Sequence, residues 1–420
     1  MATNSYSIAD QKVLVNEKLQ FEIRLKQFWG KMIGVASKTR TTAGGQEAWK
    51  FSGSPINVIN DFRKSGRTEM LIPVLGRLLG EGQQGKQTVA GNESEMNWFW
   101  QSVFVALKRY GVLFPDIVDQ EAINWAATVN DYKETLVNWW ADWLDHDITR
   151  AYYEGFSKHI TLATGSGGLG KSKRYSPNFW CYRGGSSYRD FSYSPTFTYT
   201  VATYLTNITT ALGSVDGSAD NSFDHYTLEA VNANISYSRI KGWDVDGDEV
   251  YPLVIHSLQA RTLRQDSEWL AAQARSGVNK IFKNEIGRWG KIVVIENDKV
   301  ARLPYYSGST LNFFDYNLGA DDSANNRFSL AQKPPVTVGA VQNVACAILV
   351  GANSLNMGVY QDLMLHEKSK EDYGMVTGIA GSMYYGYARN DSYNEDIAGS
   401  TAPTDSLPCQ SAVIATYVSY

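Results

Sequence analysis

Cysteine is almost missing from this chain: Cys181, Cys346 and Cys409 are odd in number and far apart. They have no CxxC spacing for a metal ribbon and make no disulfide framework, so free thiols in a reducing compartment are expected. Nowhere do eighteen apolar residues run together, which excludes a membrane-spanning helix. Met1 to Ser7 has neither a basic stretch nor an apolar core, so no secretory signal is expected. Catalytic signatures are also lacking. His146, His159, His225, His256 and His366 are dispersed without an HExxH pair, and there is no GxSxG elbow. Positive charge is not in excess: 39 Lys and Arg against 43 Asp and Glu give −4, which argues against a generic nucleic-acid coat.

What is abundant is aromatic: 25 Tyr, 16 Phe and 12 Trp, which suit broad interfaces and large β-rich cores alike. At 420 residues the chain exceeds one growing core, so two subdomains or an extended multi-part fold is expected. The content of 43% apolar and 20% charged residues is that of an ordered protein.

The stretch Gly66–Met96 reads as an arm. A β-prone run from Thr68 to Leu75 enters a tip with Gly76, Gly80, Gly82 and Gly85, and Lys86–Ala90 returns to Gly91-Asn92. Pro73 has no N–H for a ladder, which predicts an edge or bulged strand. A two-stranded arm has no core of its own and must lie on this chain or on another copy. Before it, counting to Lys64, ten basic residues face five acidic ones, so the leading segment is basic. After it, Ile123, Ala126, Val129, Leu136, Trp140, Trp143, Leu144, Ile148 and Ala151 recur near a 3.6 period. They predict one long helix from Asp119 to Tyr153.

Further on, His225–Ser238 is helix-like and Trp243 to Tyr251 holds an Asp-Gly turn between strands. Tyr251–Ile255 is a buried strand, and Ser257 opens a helix that ends at Gly277. Lys291 to Ile295, Val341–Val350 and Gln410–Tyr420 are further strands. Strands scattered among helices predict an α+β fold.

Two motifs invite chemistry. Gly165-Ser-Gly-Gly-Leu-Gly-Lys171-Ser172 fits the phosphate-cradling GxxxxGK[ST] string and keeps a P-loop nucleotide hydrolase open as an alternative. That mechanism needs a helix starting at the Lys-Ser, and Pro177 with Gly184-Gly185 argues for a flexible loop instead. Asp244, Asp246 and Asp248 lack the Gly and Glu of a calcium loop, so a hairpin turn is expected. His256, after an apolar run, is expected to be a hydrogen-bonded core histidine. Carboxylates such as Glu93 and Glu95 suit salt bridges. No catalytic site, cofactor site or metal site is assigned.

Several blocks taken in order resemble a known family. They are Gly66-Arg-Thr, Ile72-Pro, Leu79-Gly-Glu-Gly-Gln-Gln-Gly and Ala90-Gly-Asn-Glu-Ser in the arm, then Leu136-Val-Asn-Trp-Trp-Ala. Tyr251-Pro-Leu-Val-Ile-His256, Leu263-Arg264, Asn279-Lys-Ile-Phe and Lys291–Glu296 follow. Leu349-Val-Gly-Ala-Asn-Ser, Asp372-Tyr-Gly374 and Ala412-Val-Ile-Ala complete the set. Together, from about residue 15 to the C-terminus, they resemble the tailed-phage major capsid proteins typified by the coliphage N-four coat protein. Ser257 stands where that group usually has Pro, and Ser411-Ala412 where it often has Gly. Residues 160–222 match none of its motifs.

The resemblance implies the HK-ninety-seven capsid fold. Residues 1–65 would be an N-terminal arm and 66–98 the E-loop. Residues 99–222 would be a P-domain with a spine helix and a β-rich insertion, 223–400 an A-domain with P-domain strands, and 401–420 a last P-domain strand. It implies a structural protein, not an enzyme, that forms hexamers and pentamers of an icosahedral head around double-stranded DNA. Portal and scaffolding or cement proteins would be partners, no membrane would be involved, and assembly would occur in the host cytoplasm. The E-loop would lie on a neighbouring subunit. Arg67, Glu69, Arg77, Glu81, Lys86 and Glu93 would make its polar contacts, and Leu71, Val74, Leu78 and Leu79 its apolar ones. An encapsulin-like nanocompartment shares that fold and stays open as a second alternative.

Overall fold

The computed structural model describes residues 22–35, 37–40, 47–50, 53–59, 69–75, 77–78, 98–114, 125–153, 173–176, 178–183, 190–191, 222–238, 240–245, 247–276, 284–297, 305–307, 310–312, 344–367, 377–390, 392–395, 405–407 and 409–418. Helix and strand are mixed, as the scattered pattern predicts. Strands β1 (Ile33–Val35), β2 (Ser37–Arg40), β3 (Glu47–Lys50) and β4 (Ile56–Ile59) come first. Then β5 (Glu69–Leu75), β6 (Arg77–Leu78), β7 (Trp98–Phe104) and β8 (Ala106–Phe114) lead to helix α1 (Trp125–Tyr153). Next are β9 (Lys173–Ser176), β10 (Asn178–Arg183), β11 (Asp190–Phe191), helix α2 (His225–Ser238), β12 (Trp243–Val245) and β13 (Asp248–Ile255). Helices α3 (Ser257–Gln265) and α4 (Ser267–Ser276) precede β14 (Glu285–Trp289) and β15 (Ile292–Glu296). A small pair, β16 (Tyr305–Ser307) and β17 (Thr310–Asn312), is followed by β18 (Val344–Val350). The chain finishes with the long strands β19 (Leu355–Glu367) and β20 (Thr377–Arg389), then β21 (Ser392–Glu395), β22 (Asp405–Leu407) and β23 (Ser411–Tyr417).

The larger sheet runs β11-β10-β23-β18-β13-β15-β14, with β12 paired to β13. Its central strands are continuous apolar runs because both faces are covered. Side chains alternate between two cores with the period of two that a strand imposes. Leu253, Ile255, Ile292, Val294, Ala347, Leu349, Ala412 and Ile414 face the core that also holds residues of α2, α3 and α4. Val254, Val293, Ile295, Cys346, Ile348, Val413 and Ala415 face the other core, which contains α1.

The smaller sheet runs β1-β4-β19-β20-β8, and α1 lies on one face of it. The expected long helix is present over 29 residues, about 43 Å at 1.5 Å per residue. It is described from Trp125; the expected start at Asp119 lies among residues 115–124, outside the described ones. Leu136, Val137, Trp140, Trp143, Leu144, Ile148 and Ala151 are buried, while Glu134 and Asn138 are exposed on its opposite side. Its last turn joins the sheets. Tyr153 donates its hydroxyl to the Cys346 carbonyl at 2.7 Å, in β18. Tyr152 bonds Ser354 at 2.8 Å, in the link between β18 and β19. The leading segment docks on the same helix: Asp145 accepts the amides of Phe28 and Trp29, and Lys26 reaches Glu134 and Asn138.

Chain order and sheet membership do not run in blocks. β10, within 99–222, and β23, within 401–420, run beside each other in the larger sheet. The single helix expected from Ser257 to Gly277 is two helices. Asp266 breaks it: its N–H donates to the Leu263 carbonyl, and its carboxylate accepts the Glu268 amide to start α4. His256 is a helix cap rather than a core side chain. Its Nδ1 accepts the Leu258 amide, and Gln259 completes the capping box.

Candidate assembly surface

The arm is a two-stranded ribbon of β5 and β7, antiparallel from Glu69↔Phe104 to Leu75↔Trp98. Its return strand is therefore β7. The run Lys86–Ala90, expected to return, lies outside the described residues. The missed signal was the β-prone run Trp98-Phe-Trp. Pro73 sits opposite Trp100 in a ribbon where, among the described residues, both strands are edges, so its missing N–H costs no second ladder there.

Of the residues expected to make contacts, Glu69, Leu71 and Val74 lie on β5. Arg77 and Leu78 form β6, which pairs with β22 of the same chain at Ser406 and Asp405. Strand β6 thus joins a four-stranded sheet with β22, β21 and β9. The start of the arm is held by its own chain. Arg67, Leu79, Glu81, Lys86 and Glu93 lie outside the described residues.

The root of the arm is Phe104-Val105, where β7 passes into β8. Strand β20 is built to receive it and α1 on opposite faces. A Cβ on Gly381 would overlap the indole nitrogen of Trp140, and one on Gly386 would overlap the Phe104 carbonyl. These two glycines differ by five positions, an odd number, so they point to opposite faces. The root therefore crosses the sheet on the side away from α1. There Phe104 is 62% exposed, Leu107 and Met364 are exposed, and Tyr360 meets Tyr384 edge to face at 5.6 Å.

Beneath the root is a buried polar joint. Trp143 donates its indole N–H to the Tyr385 hydroxyl at 2.8 Å, and Tyr385 donates to Asp147. Lys108 of β8 lies 5.4 Å from the Trp143 ring centroid. Burial pushes the Asp147 carboxyl up, but bonds from His146 and Tyr385 and the charge of Lys108 outweigh it and hold it below the usual range. Burial also pushes the Tyr385 and Tyr387 hydroxyls well above the ordinary value, so both stay protonated. At Asp266 burial likewise opposes ionisation, and the bonds from the His225 amide and ring outweigh it. Glu249 is held at about 2 by hydrogen bonds from Lys291, the Gly242 amide and Tyr251. A carboxyl depressed on folding stabilises fully above its unfolded value and less as the pH falls through its folded value. Stability is therefore expected to decline on acidification from about pH 4.5 toward 2, the interval set by Glu249. Urea midpoints across that interval check it; a midpoint that rose on acidification would contradict it.

The sequence lures resolve into structure. Lys171-Ser172 is followed at once by β9, so the string that resembles a phosphate loop lacks the helix its mechanism requires. Asp244 and Asp248 flank a hairpin turn between β12 and β13, where Asp244 accepts the Gly247 amide at 3.0 Å. His366 bonds Ser382 at 2.7 Å and His225 bonds Asp266 at 2.6 Å; His159 lies outside the described residues. Among the described residues no group of three His, Cys, Asp or Glu is placed to hold a metal, and no helix is long and apolar enough to cross a membrane.

A sequence model of a family described as phage capsid protein matches residues 35–418. No curated protein matches the chain. Among solved structures, the chain is similar to the capsid of Ralstonia phage GP4, with TM-score 0.56 and 16% identity over 94% of this chain and 92% of that one. It is similar to a chain of the cyanophage Pam1 capsid asymmetric unit, with TM-score 0.55 and 16% identity over 99% of each chain. The head structure of Helicobacter pylori bacteriophage KHP40 gives TM-score 0.52 and 11% identity over 99% and 94%. At such identities the likeness is one of fold.

Proposed function

This chain belongs to the phage capsid protein family, and we propose that it closes into an icosahedral phage head by laying its arm on a neighbouring copy. It is a structural subunit of the virion. The observation that carries the arm reading is the β5–β7 ribbon, two strands with no third strand beside them among the described residues. Such a ribbon is marginal in water until something covers it. In a shell the cover is a second subunit, and each weak contact repeats round the particle and sums.

In this reading the chain is of the coliphage N-four group and keeps the HK-ninety-seven plan. Helix α1 with the smaller sheet is the peripheral domain, and the larger sheet with α2, α3 and α4 is the axial one. Hexamers and pentamers assemble in the host cytoplasm and enclose double-stranded DNA, with portal and scaffolding or cement proteins as partners. Glu69, Leu71, Val74, Arg77 and Leu78, with Arg67, Leu79, Glu81, Lys86 and Glu93, meet the neighbour. The face of the smaller sheet away from α1, with Leu107, Tyr360, Met364 and Tyr384, is the surface on which an arm rests. Support comes from its apolar exposure beside the arm's own root.

Deleting Gly76 to Gly85 is expected to leave folded protein that forms no closed shells. Electron microscopy beside circular dichroism reads both properties, and normal particles from the deletion would overturn the arm's role.

A further inference from the structure

The two main sheets treat their edges differently. At one edge of the larger sheet, β14 is closed by a side chain. Gln273 of α4 donates to the Arg288 carbonyl at 2.7 Å and accepts the Arg288 amide at 3.1 Å. The amide group does what a neighbouring strand would do, and it blocks that edge against pairing. The opposite edge, β11, has two residues. In the smaller sheet, β1 has three. Strand β8 has nine residues at the other edge, and among the described residues no strand lies beyond it.

That long edge is also dressed for contact. Leu107 is 40% exposed and Tyr110 43% exposed, although Tyr110 is stacked on Trp139 at 3.8 Å. Ala106–Phe114 holds Lys108 and Arg109 and no acidic residue. Lys108 is directed to the Trp143 ring, whereas Arg109 is exposed and has no carboxylate partner among the described residues. A hydrophobic, unpaired strand of this length templates pairing with another chain.

We propose that the free edge of β8 is a strand-addition site, filled by an extended segment of a second copy that brings carboxylates to Arg109. The proposal rests on the coat-protein reading, which places copies side by side. It is favoured by continuity, because β8 follows the arm strand β7 after the single residue Val105. It is favoured also by charge, since the chain as a whole is acidic at −4 while this edge is basic. Pairing of β8 with its own copy would bring two Lys108-Arg109 pairs onto one ribbon, so the contact is between unlike segments.

Hydrogen exchange of peptides spanning 106–114, in unassembled protein and in shells of the full chain, tests this directly. In an antiparallel ladder alternate residues point their amides to one side, so about half of these amides are expected to exchange fast before assembly. Those amides should slow by about tenfold or more in shells, while peptides over 285–289, already closed by Gln273, do not change. Arg109→Glu is expected to stay folded and to raise the concentration at which shells appear by about tenfold. Shells with unchanged exchange over 106–114 would overturn the edge site and leave the coat function standing. Full protection before assembly would do the same, because the chain would then cover its own edge. A chain that forms no shells overturns the coat reading and this one with it.

Discussion

Gly386→Ala is expected to abolish normal shells while both sheets still form. The added Cβ meets backbone, the carbonyl of Phe104 and the Cα of Val105 at 3.2 Å, so no side-chain rotation relieves it. Overpacking of this kind costs about 1–3 kcal/mol, and the segment that can yield is the arm root. The ribbon beyond it is a lever: seven residues of β5 at about 3.3 Å each span roughly 23 Å. A shift of an ångström or two at the root moves the far end by more than an interface tolerates. Circular dichroism would show retained structure and microscopy would show open or aberrant particles. Regular shells from Gly386→Ala would show that the arm root does not set the geometry of assembly.

Tyr385→Phe is expected to be the most destabilising conservative change in the α1 joint. It deletes one oxygen that serves two groups within a packed core, accepting the Trp143 indole N–H and donating to the Asp147 carboxylate, which keeps its bond from His146 and the charge of Lys108. Removing one buried hydrogen-bond partner costs about 1–3 kcal/mol and this oxygen serves two groups, so a loss of about 2–3 kcal/mol is expected. Urea unfolding of the unassembled protein measures it. Asp147→Asn in the Tyr385→Phe background should restore part of the loss, because it removes a buried charge that has lost one of its donors. A cost below about 1 kcal/mol for Tyr385→Phe would mean that the joint is solvated.

The same physics explains which parts of this fold were legible in the sequence. Strands β13, β15, β18 and β23 are buried on both faces, so they read as unbroken apolar runs. Helix α1 declared itself because one stripe is buried along its length. The long strands β19 and β20 leave no such run. One face of their sheet is partly open, and the pairing shifts register at Val359/Gln361 and Gln361/Met364, which breaks the period of two. The break at Asp266 carries neither Gly nor Pro. Its signal was a capping carboxylate, weaker than the apolar period running through it. The arm was legible as an arm, but its partner strand was not, because pairing across the interval from β5 to β7 is non-local and leaves no local mark. For the contact residues, sequence placed Glu69, Leu71 and Val74 on one strand. It did not show that Arg77 and Leu78 pair with β22, since that depends on a segment over three hundred residues away.

Electron microscopy of the full chain, expressed alone and concentrated, reads assembly itself. Capsomer rings and closed shells are expected, with density for each arm resting on an adjacent subunit. A folded protein that stays monomeric at high concentration, alone and with phage assembly factors supplied, would contradict the coat-protein reading.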